Sequence, residues 1–402
     1  MPSPTDARPL EGIRVLELGQ LIAGPFAGCV LGYFGAEVIK VEPPGSGDAL
    51  RNWRVLDEDG TSYWWRSMSR NKRCVTVNMR EQRGRDLVHR LALKSDVLIE
   101  NFRPGTMEKW GLGPERYAAE HRALVYARIS GYGQSGPYSQ RPGFASACEA
   151  FGGFRYINGY PGETPVRPNL SMGDTLAAMN AVIGILLALL ARGRLGGLGQ
   201  VVDVAIYEAV YNMLESVVPE YDGAGVVREP SGSTLTGIVP TNTYRCADGR
   251  FVVIGGNGDS IFKRLMREAG REDLAEDPRL ANNAGRVAHQ REVDDAIAAW
   301  TATLDADRVF ARLEQAAVPA GPLYSVREMV EDPHFKARGM FETVNVRAGT
   351  LRVPAITPRL DTTPGRTDFG GSELGAHNHE VFRGVLGLAQ EEFDQLVATG
   401  VI

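Results

Sequence analysis

One carboxylate and three short loops hold the residues of this sequence best equipped for chemistry. Asp174 stands in NLSMGDTLAAMN, at the head of an apolar stretch. Asp is a preferred helix N-cap, because its side-chain oxygen accepts from an orphan amide of the first turn. The same carboxylate is ionised at neutral pH and suits covalent catalysis, as a nucleophile that then carries an acyl group. Position alone does not separate the two readings. Basic residues gather in SRNKR (69–73) and in NFRPGTMEK (101–109), beside predicted strands. Arg70, Lys72, Arg73, Arg103 and Lys109 together suit an anion such as phosphate, since ionised donors make the strongest hydrogen bonds to it. Each taken singly is an ordinary solvated charge.

GYGQSG (131–136) satisfies G-x-G-x-x-G, but Pro137 follows where a dinucleotide fingerprint must open a helix, and no suitably placed acidic residue supports it. A tight strand-end turn explains it better. IGGNGDS (254–260) is a second glycine-rich turn, open to close backbone approach by a ligand or simply flexible. The six histidines have no metal spacing, and no Ser/His/Asp or Cys/His pairing stands out. Cys29, Cys74, Cys148 and Cys246 are scattered, with no C-x-x-C pair, so reduced and buried thiols are expected.

The elements that must position these residues alternate. Strands are predicted at 13–18, 37–42, 74–79, 96–100 and 124–130, with helices at about 26–33 and 82–93 between them. That alternation predicts an α/β fold with an open, largely parallel sheet of Rossmann type. A long buried helix is expected over about 174–192, and 201–214 reads as a strand running into a helix. Residues 222–237 read as a linker, 243–256 as a β-hairpin turning at Asp248-Gly249, and the charge-rich stretch to about 315 as helical. The domain expectation is therefore a large Rossmann-like part over 1–221, a small α+β domain over 222–325, and a return to the large domain over 326–402.

Composition narrows the class. The chain has 402 residues, 43% hydrophobic and 23% charged, as in soluble globular proteins. A net charge of -5 gives no field for gripping nucleic acid. The N-terminus lacks a signal pattern, and the apolar run 177–191 falls short of the roughly 20 residues that span a bilayer. A cytoplasmic protein with no membrane and no nucleic-acid partner is expected.

Taken in order, LEGIRVLELGQLIAGPFAG, LGYFGAEVIKVEPPGSGD, RNKRCVTVNM, DVLIENFRPGTMEKWGL, ISGYGQSGP, NLSMGDTLAAMNAVIGILLALLAR, GQVVDVAIYEAV and VPAGPLYSVREMVEDPHF resemble the family III CoA-transferases over nearly the whole chain. The resemblance implies a nucleophilic Asp before the long apolar helix, which only Asp174 matches. It implies CoA contacts at Ile22 and Ala23, at Ser69, Arg70, Asn71 and Lys72, at Asn101, Phe102, Arg103 and Lys109, and at Gly131, Tyr132 and Gly133. Gly255, Gly256 and Gly258 resemble the family's mobile cover. CoA and acyl-CoA enter as substrates, with no permanently bound cofactor and no metal. Two chains threaded as linked rings, an interlocked homodimer, are implied as well.

The pattern is closest to succinyl-CoA:dicarboxylate transferases. Ile22 stands where formyl-CoA transferases carry Gln, and Pro43 where they carry Arg, which puts oxalate specificity in doubt. An α-methylacyl-CoA racemase would need a His where Phe144 stands. A CoA lyase or a non-catalytic acyl-CoA-binding protein are the remaining alternatives. Arg167, seven residues before Asp174, is a candidate clamp for a distal carboxylate, with a loop salt bridge as its other reading.

Overall fold

Six runs rich in Val, Ile and Leu pair into one sheet: β1 (Arg14–Glu17), β2 (Glu37–Glu42), β3 (Lys72–Thr76), β4 (Val97–Glu100), β5 (Val125–Ser130) and β6 (Val201–Ala205). The computed structural model describes residues 7–347 and 349–402; the first six residues, part of the N-terminus read above for a signal pattern, lie outside the described residues. The strand order is β3-β2-β1-β4-β5-β6, and every neighbouring pair is parallel. Parallel strands need crossovers that cover both faces, which is why these runs place apolar residues on both sides of the sheet. Val15, Val38, Val97 and Val125 pack on one side with the first helix (Ala23–Tyr33) and the long helix (Met172–Arg194). Their chain neighbours Leu16, Ile39, Leu98 and Tyr126 pack on the other, with the helix Gln82–Ala92 and with Phe382 and Leu396 from the C-terminus. The alternation is the period of two expected of a strand. From β1 the order runs one way to β2 and β3 and the other way to β4, β5 and β6. A crevice outside the carboxyl ends is the normal result of such a switch.

The chain divides into two compact units. The first takes the residues up to Phe154, Pro168–Glu215 and Lys336–Ile402; the second takes Arg155–Arg167 and Ser216–Phe335. The second unit thus begins at Ser216 and ends at Phe335, against the expected 222 and 325, and also takes in residues 155–167. Residues 155–167 go with the second unit because Tyr156 donates to Glu229 (2.7 Å) and the Gly232 amide to the Gly159 carbonyl (2.8 Å). Within that unit β7 (Thr241–Arg245), β8 (Phe251–Gly255) and β9 (Ala320–Pro322) form an antiparallel sheet. Its first turn lies at Asp248-Gly249, where Gly249 takes φ 81°. Val252, Ile254, Phe262, Ile297 and Val309 make its core. The start of the expected linker is the end of a helix, Val217–Ala224. In the first unit, β10 (Phe341–Val346) and β11 (Gly349–Pro354) form a hairpin.

Two expectations are corrected. β3 begins at Lys72 instead of residue 74, so Lys72 and Cys74 point into the sheet's interior. The long helix is buried on one face only, through Gly173, Ala177, Ala178, Ala181, Val182, Ile185 and Ala188. Ile183, Leu187 and Leu190 on its other face are exposed. By length and composition alone this 23-residue helix is apolar enough to cross a membrane.

Candidate active site

The loops that leave β1, β4 and β5 at their carboxyl ends converge on one cavity of about 280 Å³. Gln20, Leu21, Ile22 and Ala23 line it after β1, and Asn101, Phe102, Arg103 and Pro104 after β4. Ser130 and Gly131 line it at the end of β5, followed by Ser139, Arg141, Gly143 and Phe144. Asp174 and Ile206 complete the wall.

Asp174 is the third residue of the long helix, and Ser171 holds the N-cap position. The N-cap reading of Asp174 is therefore corrected. A first-turn amide is satisfied from outside the helix instead: the Gly173 N–H donates to Glu149 Oε1 at 3.0 Å. Glu149 is fully buried, on the helix Ala145–Phe151. A Cβ on Gly173 would stand 3.0 Å from Ile206 Cγ2 and 3.2 Å from Glu149 Cγ, so the helix start is seated at backbone distance. The positive end of the helix favours an ionised carboxylate at Asp174. Cys148 lies close by, with Sγ donating to the Gly131 carbonyl at 3.3 Å. Burial, then the Asp174 and Glu149 charges, push its thiol up to about 11, so it stays neutral and is no rival nucleophile at pH 7.

The β1 loop is fixed by side chains from two other strands. Asn101 accepts from the Gln20 amide and donates to the Gln20 carbonyl, both at 2.8 Å. Leu21 sits in the left-handed region at φ 65°, a conformation that costs energy in a non-glycine residue. Its N–H donates to both oxygens of Asp48 at 3.1 Å, and Lys40 pairs with Asp48 at 2.8 Å while also donating to the Gly19 carbonyl. Beyond β4, Glu100 accepts from the Phe102 amide (2.8 Å) and pairs with Arg128 (2.8 Å).

The structure thus brings Ile22, Ala23, Asn101, Phe102, Arg103, Gly131 and Asp174 together. Ser69, Arg70, Asn71 and Lys72 do not line this cavity, and all four are buried elsewhere in the same unit. Lys72 pairs with Glu17 at 2.8 Å and donates to the Pro25 carbonyl at 2.6 Å. Asn71 donates to the Arg366 carbonyl and accepts from the Asp368 amide; Arg70 donates to the Pro354 carbonyl. Lys109 is exposed and outside the cavity wall. Tyr132 sits behind the wall in a ring cluster with Tyr138, Phe151 and Tyr207, and Gly133 supplies the turn at φ 82°. Arg167, Gly255, Gly256 and Gly258 belong to the second unit. Among the described residues no group of three or more His, Cys, Asp or Glu is arranged to hold a metal.

A second cavity of about 580 Å³ shares Gln20 and Phe102 with the first. Pro43, Ser46, Asn78, Arg80 and Trp110 are among its walls. Sequence reasoning missed Arg80, Ser130, Arg141 and Glu149. The Ser130 hydroxyl is buried and, among the described residues, has no hydrogen-bond partner. A lone serine at a strand end carries no signal of that.

Residues 10–378 match the family model described as CoA-transferase family III. The chain is 46% identical to the succinyl-CoA–D-citramalate CoA-transferase of Chloroflexus aurantiacus, over 100% of both chains. It is 41% identical to the alpha subunit of a succinyl-CoA–L-malate CoA-transferase from Chloroflexus aurantiacus, covering 98% of this chain and 92% of the relative. Among solved structures, a CAIB/BAIF family protein from Brucella suis superposes with a TM-score of 0.84 at 32% identity, covering 94% of this chain and 100% of that one.

Proposed function

Because this chain belongs to CoA-transferase family III, we propose that it moves CoA from succinyl-CoA, or a similar acyl-CoA, to a short dicarboxylic acid through covalent intermediates on Asp174. The observation that carries this reading is the Asp174 carboxylate in the wall of a cavity at the sheet's switch point, with Arg103 and Arg141 beside it. Relatives named for citramalate and malate support a diacid acceptor.

In the proposed sequence the Asp174 carboxylate attacks the donor thioester carbonyl and expels CoA thiolate, leaving an aspartyl–acyl anhydride. The thiolate then attacks the aspartyl carbonyl, releasing the donor acid and leaving an aspartyl–CoA thioester. The acceptor carboxylate displaces the thiolate in turn, forming a second anhydride. Attack of the thiolate on the acceptor carbonyl of that anhydride gives the new acyl-CoA and restores the Asp174 carboxylate. No proton is gained or lost over the cycle, which agrees with a wall that offers no obvious acid–base pair. Phe144, with no titratable group, supports transfer over racemisation. The larger cavity, which shares Gln20 and Phe102 with the first, suits the nucleotide end of CoA, with Arg80 as its basic group. The open apolar face of the long helix supports assembly with a second copy.

The test offers succinyl-CoA or acetyl-CoA with malate, citramalate, glutarate, itaconate, mesaconate, oxalate or carnitine, and reads CoA exchange by mass. Exchange from succinyl-CoA to one or more of the longer diacids is expected; transfer to oxalate or carnitine alone, or none, would sink the reading. Ser130 is proposed to donate its hydroxyl hydrogen to the oxyanion that forms as each carbonyl is attacked. Ser130→Ala should then lower kcat about 100-fold, the typical loss of one oxyanion donor, with little change in the donor KM. A loss confined to KM would remove Ser130 from the chemistry.

A further inference from the structure

We infer that Arg141 is the residue that distinguishes dicarboxylates from monocarboxylates, by gripping the carboxylate distal to the one that reacts; this rests on the CoA-transfer reading above. Two guanidinium side chains line the cavity that holds Asp174, those of Arg103 and Arg141. Arg103 leaves β4 beside Phe102, whereas Arg141 is stacked on an aromatic ring, that of Tyr138. Arg141 lies beyond β5, in the segment that ends against the Asp174 neighbourhood. There a Cβ on Gly143 would stand 3.1 Å from Cys148 Sγ, the thiol that feels the Asp174 charge.

The state of Arg141 fits a group waiting for an anion. Its guanidinium carbon lies 3.5 Å from the centroid of the Tyr138 ring. Tyr138 in turn meets Phe151 edge-on at 5.8 Å and Tyr132 at 6.5 Å, so the ring beneath the guanidinium is itself braced. Among the described residues no carboxylate pairs with Arg141. Stacking therefore fixes the plane of the fork while leaving its N–H edge unspent, which is the geometry for bidentate capture of a carboxylate. A cavity of about 280 Å³ lined by both Asp174 and Arg141 can seat a short diacid with one carboxylate toward each. A monoacid would leave the guanidinium without its partner, and that difference is the selectivity.

The test compares wild type, Arg141→Gln and Arg141→Lys with succinyl-CoA as donor. Acceptors are the best diacid found and a monoacid of similar length, such as butyrate. Arg141→Gln should lower the diacid-to-monoacid ratio of kcat/KM by about 10- to 100-fold, as expected for losing a charge-assisted pair. Arg141→Lys, which keeps charge without the fork, should fall between. A wild type that exchanges CoA but shows no diacid preference would overturn the inference and leave CoA transfer standing. So would an unchanged ratio in Arg141→Gln, or a KM increase shared equally by succinyl-CoA and butyryl-CoA donors, which would assign the residue to CoA. A wild type that transfers no CoA would instead overturn the reading beneath it.

Discussion

Asp174→Asn should abolish CoA exchange, with a fall of about 10⁴-fold or more, the scale on which loss of a covalent nucleophile registers. Asn keeps the shape and removes the one group proposed to attack the thioester. The fold should survive. Asp174 sits at the third position of a 23-residue helix whose first-turn Gly173 amide donates to Glu149. Removing its charge gives up the helix-end attraction, about 0.3–1 kcal/mol. The check is a CoA-exchange rate beside a thermal melt, with a quenched digest of the wild type after mixing with succinyl-CoA. The peptide containing Asp174 should gain the mass of an acyl or CoA adduct in wild type and not in Asp174→Asn. Robust turnover by the purified variant, or an adduct on another residue, would end the proposed mechanism.

Lys72→Met should act on stability, by about 3–5 kcal/mol, because it leaves a buried carboxylate short of a partner. Glu17 lies between Lys40 (3.2 Å) and Lys72 (2.8 Å), and all three side chains are fully buried. These contacts are ion pairs without hydrogen-bond geometry at the Glu17 oxygens, so charge balance carries most of their worth. A Cβ on Gly28 would stand 1.9 Å from Glu17 Oε2, so the first helix is packed directly onto this carboxylate and has no room to let water in. The expected loss in melting temperature is roughly 10 °C for a unit of this size. The pair Glu17→Gln with Lys72→Met should recover much of it, since the orphaned charge goes too. A phosphate ligand would behave oppositely: the KM for acyl-CoA would rise and the melt would hold.

That contrast shows where sequence reasoning reached its limit. The parallel sheet was legible because runs such as EVIKVE and DVLIE are short, apolar and spaced by helical stretches, a local property. The place of Asp174 at the head of a long helix was legible in the apolar run that follows it. The partners of SRNK were not. Asn71 is held by residues 366 and 368, and Lys72 by Glu17 and Pro25, pairings that span up to 297 positions of chain. A basic cluster read one residue at a time cannot tell a solvated charge from one neutralised in the interior. The extra two residues at the start of β3 decided it, by carrying Lys72 into the strand. Glu149 escaped for the same reason, since its amide partner lies 24 residues away on another helix. Arg141 stood alone between Gln140 and Pro142, outside any basic run.

Gly131 and Gly143 meet backbone to backbone behind the cavity, where a Cβ on Gly131 would stand 2.9 Å from Gly143 Cα and one on Gly143 2.9 Å from Tyr132 Cε2. Cys148 closes the same seam, its Sγ 3.2 Å from a Cβ on Gly131. This wall admits no larger residue, so inherited or engineered changes in acceptor preference have a single direction in which to work. They must run through neighbouring lining side chains such as Ser139, Arg141 and Phe144, of which Phe144 is 71% exposed. Side chains there are exchangeable without moving the backbone that seats Asp174. The glycine seam of the chamber is thus inelastic, and substitutions among its lining side chains are where a change of acceptor acid is expected to arise.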